Sequence, residues 1–210
     1  MPKLKTPKKK KTTTEDATEI VVVLDRSGSM TVIKADMEGG FDTLIEEQKK
    51  EPGECRVTLN QFDTQYENVY TAKLLNEVPK LDLVPRGMTA LFDAVGKAVF
   101  ETSERLSGMK SKPKVLCVVI TDGAENSSHE YNAASVKTLL DEKRKEGWEF
   151  VFIGADESSF KDAAAMGFDA GMTMSFNSTG EGTRQMTKGL SAGIRSYRSH
   201  GMYVDPNQKS

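Results

Sequence analysis

Oxygen-bearing side chains gather where two strongly apolar runs of the chain end. Asp25 ends the first run, and Ser27 and Ser29 alternate with it, so a loop can turn all three side chains toward one point. Asp122 follows the second run, and Thr89 precedes a candidate helix. Hydroxyl and carboxylate oxygens suit Mg²⁺, which requires near-octahedral coordination at about 2.0–2.1 Å and usually keeps several waters. The five residues therefore predict a site for a divalent cation, Mg²⁺ or alternatively Mn²⁺.

Each of these residues also has an ordinary structural role open to it. The serines and Thr89 could cap the helices that follow them, and Asp122 with Gly123 could form a turn. A zinc site of the usual spacing is not available, because the chain has only two histidines and two cysteines. Any metal must therefore be held by oxygen.

Short β-branched runs alternate with longer amphipathic segments, which predicts an α/β fold of βα units around a mainly parallel sheet. The six predicted strands cover residues 19–25, 56–62, 68–72, 115–121, 149–153 and 171–175. The predicted helices, at 33–50, 90–106, 133–146, 158–166 and 182–198, would cover both faces of that sheet.

The positions of two strands follow from their composition. Residues 20–24 and 115–120 are continuously apolar, as expected of central strands that are buried on both faces. Residues 63–67 are too few for a crossover helix, so the strands on either side should form an antiparallel hairpin at one edge. Ligands of such sheets collect at the carboxyl ends of the strands, where the strand order reverses. Asp25 and Asp122 should therefore face each other.

Length and composition indicate one soluble domain. The chain has 210 residues with 37% hydrophobic composition, and no run approaches the roughly 18 apolar residues of a membrane span. The basic N-terminus has no apolar segment behind it, so it does not resemble a secretory signal, and a cytoplasmic location is expected. Cys55 and Cys117 are predicted to be reduced core thiols.

The expected domain spans residues 17–200, between a disordered Lys-rich tail at 1–16 and a C-terminal tail at 201–210. Six lysines precede the first acidic residue, and the rest of the chain holds 23 basic against 31 acidic residues. The basic tail could be solvated and disordered, could contact nucleic acid, or could be attracted to the protein's own acidic surface.

The motifs D-x-S-x-S at Asp25, G-x-T-A-L around Thr89 and T-D-G around Asp122 occur in this order. They resemble the metal-ion-dependent adhesion site of von Willebrand factor A and integrin I domains, over about residues 17–200. The resemblance implies a Rossmann-like, doubly wound sheet, with Ser27, Ser29 and Thr89 as direct ligands and the two aspartates acting largely through water. Residues 122–127, 147–155 and 196–198 further resemble short stand-alone bacterial and phage members.

A protein-binding role follows from this ligand set. Neutral hydroxyls leave the cation electron-poor and its last position filled by exchangeable water, so an Asp or Glu of a protein partner is the natural sixth ligand. Asp93, Glu125, Asn126 and His129 should lie near the rim, as partner contacts or as solvated loop residues. The partner stays open between an AAA-type ATPase and a component of a phage or bacterial complex. Asp63 could support the metal or cap the hairpin.

Two other functions are weighed against this one. A phosphatase with Asp25 as nucleophile would need a second aspartate two residues on, where this chain has Ser27. The motifs of nucleotide-binding loops and of ester hydrolases do not occur, so no enzyme activity is expected. A nucleic-acid-linked adaptor would depend on the Lys-rich tail alone, because the rest of the chain is acidic.

Overall fold

A computed structural model describes residues 17–204, which contain one six-stranded sheet. The strands are β1 (Thr18–Asp25), β2 (Cys55–Phe62), β3 (Tyr66–Leu74), β4 (Lys114–Thr121), β5 (Glu149–Gly154) and β6 (Thr173–Ser175). Their order across the sheet is β3-β2-β1-β4-β5-β6, and every neighbouring pair is parallel except β2 and β3, which are antiparallel. This confirms the predicted sheet and its antiparallel edge strand.

Five α-helices cover the two faces of the sheet. They are α1 (Lys34–Gln48), α2 (Leu91–Ser107), α3 (Ala133–Lys145), α4 (Glu157–Ala165) and α5 (Gly180–His200). Residues Ile20, Val22 and Leu24 of β1 pack with α1 and α5, whereas Val21 and Val23 pack with α2, α3 and α4. Because successive side chains of a strand point to opposite faces, each central strand contributes to both cores. The predicted doubly wound architecture is therefore confirmed.

The bounds of one helix and two strands differ from the predicted ones. A short 3₁₀-helix, Gly28–Ile33, precedes α1, which therefore begins at Lys34. Another 3₁₀-helix, Ala170–Met172, occupies the start of the predicted last strand, so β6 is only three residues long. The edge strand β3 is longer than predicted and pairs with β2 through register shifts.

The C-terminal helix is fixed by polar contacts. Arg198 is buried and donates hydrogen bonds to the carbonyl oxygens of Gln48, Glu51, Pro52 and Gly53. These bonds tie the end of α1 and the turn that follows it to α5.

Packing continues past residue 200, where the sequence placed the end of the domain. The Tyr203 ring lies against Gly193 of α5, where a side chain would clash with it, and its hydroxyl is 3.1 Å from the sulfur of Met174. Tyr203 is buried, so the chain still packs against α5 and β6 at this position. The predicted Lys-rich tail lies outside the described residues.

No helix in the described part of the chain combines the length and the apolar composition that a membrane span requires.

Both thiols should be unreactive in the folded protein. Cys55 and Cys117 are free and buried, and burial raises the pKa of Cys55 to about 11 and that of Cys117 to about 12. Since the thiolate is the reactive species, we expect a thiol reagent at pH 8 to modify neither cysteine until denaturant unfolds the chain. Rapid titration of either thiol in the native protein would contradict this placement.

Candidate metal centre

The centre is built around Asp25, which lies at the carboxyl end of β1 beside the point where the strand order reverses. Its carboxylate is fully buried. The backbone N–H of Ser27 donates to Oδ1 at 2.6 Å, and the hydroxyl of Thr121 donates to Oδ2 at 2.6 Å. Both carboxylate oxygens are thus oriented by short hydrogen bonds, one local and one from the neighbouring strand.

Two serine hydroxyls connect Asp25 to the second aspartate. The Oγ atoms of Ser27 and Ser29 are 3.0 Å apart, and Ser29 Oγ donates to Asp122 Oδ1 at 2.6 Å. Ser27 is buried whereas Ser29 is exposed, so the row of oxygens runs from the sheet edge to the surface. The centre is therefore open to solvent on the Ser29 side.

Thr89 completes the group from the loop before α2. A side-chain carbon on Gly123 would lie 3.5 Å from Thr89 Oγ1 and 3.8 Å from Ser29 Oγ, so both hydroxyls flank this glycine. Asn126 fixes the Thr89 backbone through two bonds, Thr89 N to Asn126 Oδ1 at 2.8 Å and Asn126 N to Thr89 O at 3.0 Å. The structure thus brings all five predicted residues together.

Helix capping does not account for these hydroxyls. Ser27 precedes the 3₁₀-helix as its N-cap residue, yet its side chain makes no capping bond, and the N-cap of α2 is Ala90 rather than Thr89. The hydroxyl of Ser29 bonds to a carboxylate 93 residues away. The serine hydroxyls and the carboxylate of Asp122 meet across loops, as ligands of one cation would. We call the five predicted residues the oxygen cage.

The donor set fits a hard divalent cation. Ligands at about 2.0–2.1 Å from an octahedral ion lie about 2.9 Å apart when adjacent, and the two serine hydroxyls are 3.0 Å apart. Within residues 17–204 no group of three or more His, Cys, Asp or Glu side chains is arranged to hold a metal. A metal held at this position would therefore need the hydroxyls as ligands.

The electrostatics of the centre also favour a cation. Burial is the main reason why the pKa of Asp25 is raised to about 6; hydrogen bonds from Thr121 and Ser27 oppose this rise, and the nearby charge of Asp122 contributes to it. Burial likewise raises the pKa of Asp122 above its usual value. Desolvation makes the charged forms of both carboxylates less favourable, and a bound cation would offset this cost in free energy.

A partly buried ion-pair cluster around Asp63 supports two loops of the centre, the one after β1 and the one before α2. Asp63 accepts from Arg26 Nε at 2.8 Å and from Arg86 Nε at 2.9 Å, and also from the backbone N–H of Gln65 at 2.7 Å. The two guanidinium groups and the Gln65 N–H lower the pKa of Asp63, although burial raises it. Asp63 therefore caps the hairpin and positions the loops, but it is not part of the oxygen cage.

The four predicted rim residues have different surroundings. Asp93 is buried, and its carboxylate accepts from the backbone N–H groups of residues 129–131. Glu125 accepts from the N–H groups of Phe92 and of residues 127 and 128. Asn126 and His129 are exposed. The two carboxylates thus order the rim loop, and contact with a partner stays a prediction for all four.

Sequence reasoning did not single out Thr121 as a functional residue. Leu24 and Ile120 are partners in the register of β1 and β4, so the next residues, Asp25 and Thr121, are neighbours across the strands. The sequence did contain a signal for this role: Thr121 carries a hydroxyl, ends an apolar strand and directly precedes Asp122.

Replacing Thr121 by valine should destabilise the protein. The substitution keeps the side-chain shape and removes a donor to the buried Asp25 carboxylate, and such bonds to charged groups contribute about 1.5–3 kcal/mol. We expect a loss of this size in metal-free denaturant unfolding at pH 7.5, where Asp25 is mostly ionised. Thr138→Val on the exposed face of α3 is the control, and equal losses in the two variants would contradict the role of Thr121.

Comparisons with known proteins are consistent with this geometry. A model of the von Willebrand factor type A domain matches residues 19–190. No curated protein sequence matches the chain. Several solved structures share its fold at low sequence identity.

One is proximal thread matrix protein 1 from the mussel byssus with a zinc-occupied MIDAS motif (14% identity, TM-score 0.63, 88% of this chain and 47% of that one). Another is the ArnB paralog VWA2 from Sulfolobus acidocaldarius (17%, TM-score 0.56, 83% and 44%). A third is manganese-loaded Plasmodium vivax TRAP protein (13%, TM-score 0.56, 78% and 69%).

This chain spans less than half the length of the first two of these proteins. At such identities the structural likeness establishes the shared fold only. The family match, over residues 19–190, covers most of the chain. The chain therefore belongs to the von Willebrand factor type A domain family.

Proposed function

We propose that this domain is a metal-dependent protein-binding module that holds Mg²⁺, or alternatively Mn²⁺, and binds an acidic side chain of a partner. The observation that carries the proposal is the convergence of three hydroxyls with two desolvated carboxylates at one solvent-open point. Asp25, Ser27, Ser29, Thr89 and Asp122 would hold the cation. One structural neighbour has a zinc-occupied MIDAS motif and another is manganese-loaded, and these two structures support a divalent cation as the ligand of this domain.

The bound cation would supply an open coordination position that attracts an anionic oxygen. Ser27, Ser29 and Thr89 would contribute neutral ligands, so the carboxylates of Asp25 and Asp122 would have to balance the ion's charge. A site of this kind favours a further anionic ligand such as the carboxylate of Asp or Glu. The exposure of Ser29 leaves the approach from solvent open.

The arrangement supports binding rather than hydrolysis. A nucleophilic aspartate needs an oxygen that can approach a substrate, and both oxygens of the buried Asp25 are engaged by hydrogen bonds. Ser27 stands where a phosphatase of that type would need its general acid. The identity of the partner, an AAA-type ATPase or a component of a phage or bacterial complex, stays a prediction.

Loss of the cage should abolish the effect of the cation on stability. A ligand that binds only the folded state at 100 times its dissociation constant stabilises it by about 2.7 kcal/mol, or several degrees in a domain of this size. We expect Mg²⁺ or Mn²⁺ to raise the melting temperature of the parent but not of the Asp25→Ala, Ser27→Ala double variant. Asp82→Ala with Ser107→Ala, two exposed positions, should respond like the parent.

Calorimetry with MgCl₂ and MnCl₂ measures the same step directly. The absence of cation binding to the parent at millimolar metal would overturn the proposed function.

Thr89 allows a hydroxyl to be tested alone. We expect Thr89→Ala to weaken Mg²⁺ binding about tenfold or more, because it removes a ligand from the cage, whereas Thr89→Ser keeps the hydroxyl and should stay near the parent. Isothermal titration of the three proteins gives the comparison. Equal affinities of the alanine and serine variants would show that Thr89 is not a ligand.

A further inference from the structure

Three large apolar side chains are exposed on two of the three loops that form the metal centre, the one after β1 and the one before α2. Val32 is 80% exposed, Val84 56% and Met88 51%. We call these three residues the apolar rim. Exposed apolar side chains that occur singly are common, but a group of them beside a binding centre marks an interaction surface.

Contacts between the loops hold the residues of the apolar rim beside the metal centre. Ser29 and Val32 are three residues apart in the 3₁₀-helix, where side chains at this spacing eclipse, so Val32 lies on the Ser29 face about 6 Å along the axis. Lys34 Nζ donates to the carbonyl oxygen of Leu83, which holds the residue before Val84 against the end of the same helix.

The loop before α2 is held against the loop after β1 by two backbone hydrogen bonds. The N–H of Arg86 donates to the carbonyl oxygen of Arg26 at 2.8 Å, and the N–H of Gly28 donates to Gly87 O at 3.3 Å. Gly87 has a φ of 67°, and a side-chain carbon there would lie 2.8 Å from Thr64 Oγ1. The path of the loop is therefore fixed, and it presents Met88 directly before the cage residue Thr89.

The charge of this surface selects the kind of ligand. Arg86 exposes 54% of its side chain on the same loop while its Nε is held by Asp63. A guanidinium and a cation site favour acidic groups, and the apolar rim favours a large aliphatic or aromatic side chain. A free anion would leave the rim uncovered, whereas a protein segment can cover it.

We propose that the partner's segment carries a large apolar side chain next to its metal-binding Asp or Glu, and that Val32 and Met88 receive this side chain. The inference rests on the proposed function and adds to it the residue type beside the carboxylate. Burial of one such side chain against a partly exposed valine and methionine corresponds to about tenfold in affinity.

Blocked synthetic peptides test the proposal with the full chain. The three probes are a glutamate between two leucines, a glutamate between two glycines, and a glutamine between two leucines, each titrated with Mg²⁺ present and again with EDTA. We expect the leucine-flanked glutamate peptide to bind about tenfold more tightly than the glycine-flanked one by NMR titration. The glutamine peptide and the EDTA samples should show no binding.

The variant Val32→Ser with Met88→Ser should bind the two glutamate peptides equally. Phe100→Ser with Met109→Ser replaces apolar residues that are also exposed, and Met109 follows α2, about 25 Å along the helix from the site. This control should keep the tenfold preference.

Two unfavourable results are distinguishable. If both glutamate peptides bind the parent equally and only with Mg²⁺, the apolar rim is not a recognition surface, although the proposed function stands. If neither glutamate peptide shows Mg²⁺-dependent binding while calorimetry detects the cation, carboxylate recognition itself is wrong and the inference fails with it.

Discussion

The buried carboxylate of Asp25 is the constraint on which the rest of the centre depends. A desolvated charge at a sheet edge is costly unless donors or a cation compensate for it, and here the donors come from Ser27 and Thr121. These two bonds determine how the loop leaves β1 and how β4 ends beside it. The second aspartate, Asp122, is then brought within reach of Ser29.

Backbone hydrogen bonds between loops make the centre preorganised. The loop after β1 is tied to the loop before α2 through Arg26 and Gly28, and that loop is tied in turn to the loop after β4 through Asn126. Asp63 adds a buried bridge between two arginines at the end of β2. Because each loop is held by its neighbours, the hydroxyls are oriented before any ligand binds, which lowers the entropic cost of binding.

The residues around the metal centre are of two kinds, those that hold the loops and those that face solvent. Side chains such as Asp93 and Glu125 point into the loops and satisfy backbone N–H groups. Val32 and Met88 are exposed to solvent, where their apolar surface gains no free energy of burial. In the proposed mode of recognition, the contacts would therefore be made by side chains that do little to maintain the loops.

The sequence by itself determined the sheet, its antiparallel edge and the five oxygen-bearing residues that meet at the carboxyl ends of its strands. Strand periodicity follows from burial on one or two faces, and strand ends in a parallel sheet must meet at one edge. The roles of Thr121, Asn126, Asp63 and Tyr203 were decided only by the tertiary structure. Each acts through contacts with distant residues, and such pairings leave no periodic signal, since they depend on strand register and on the path of the loops.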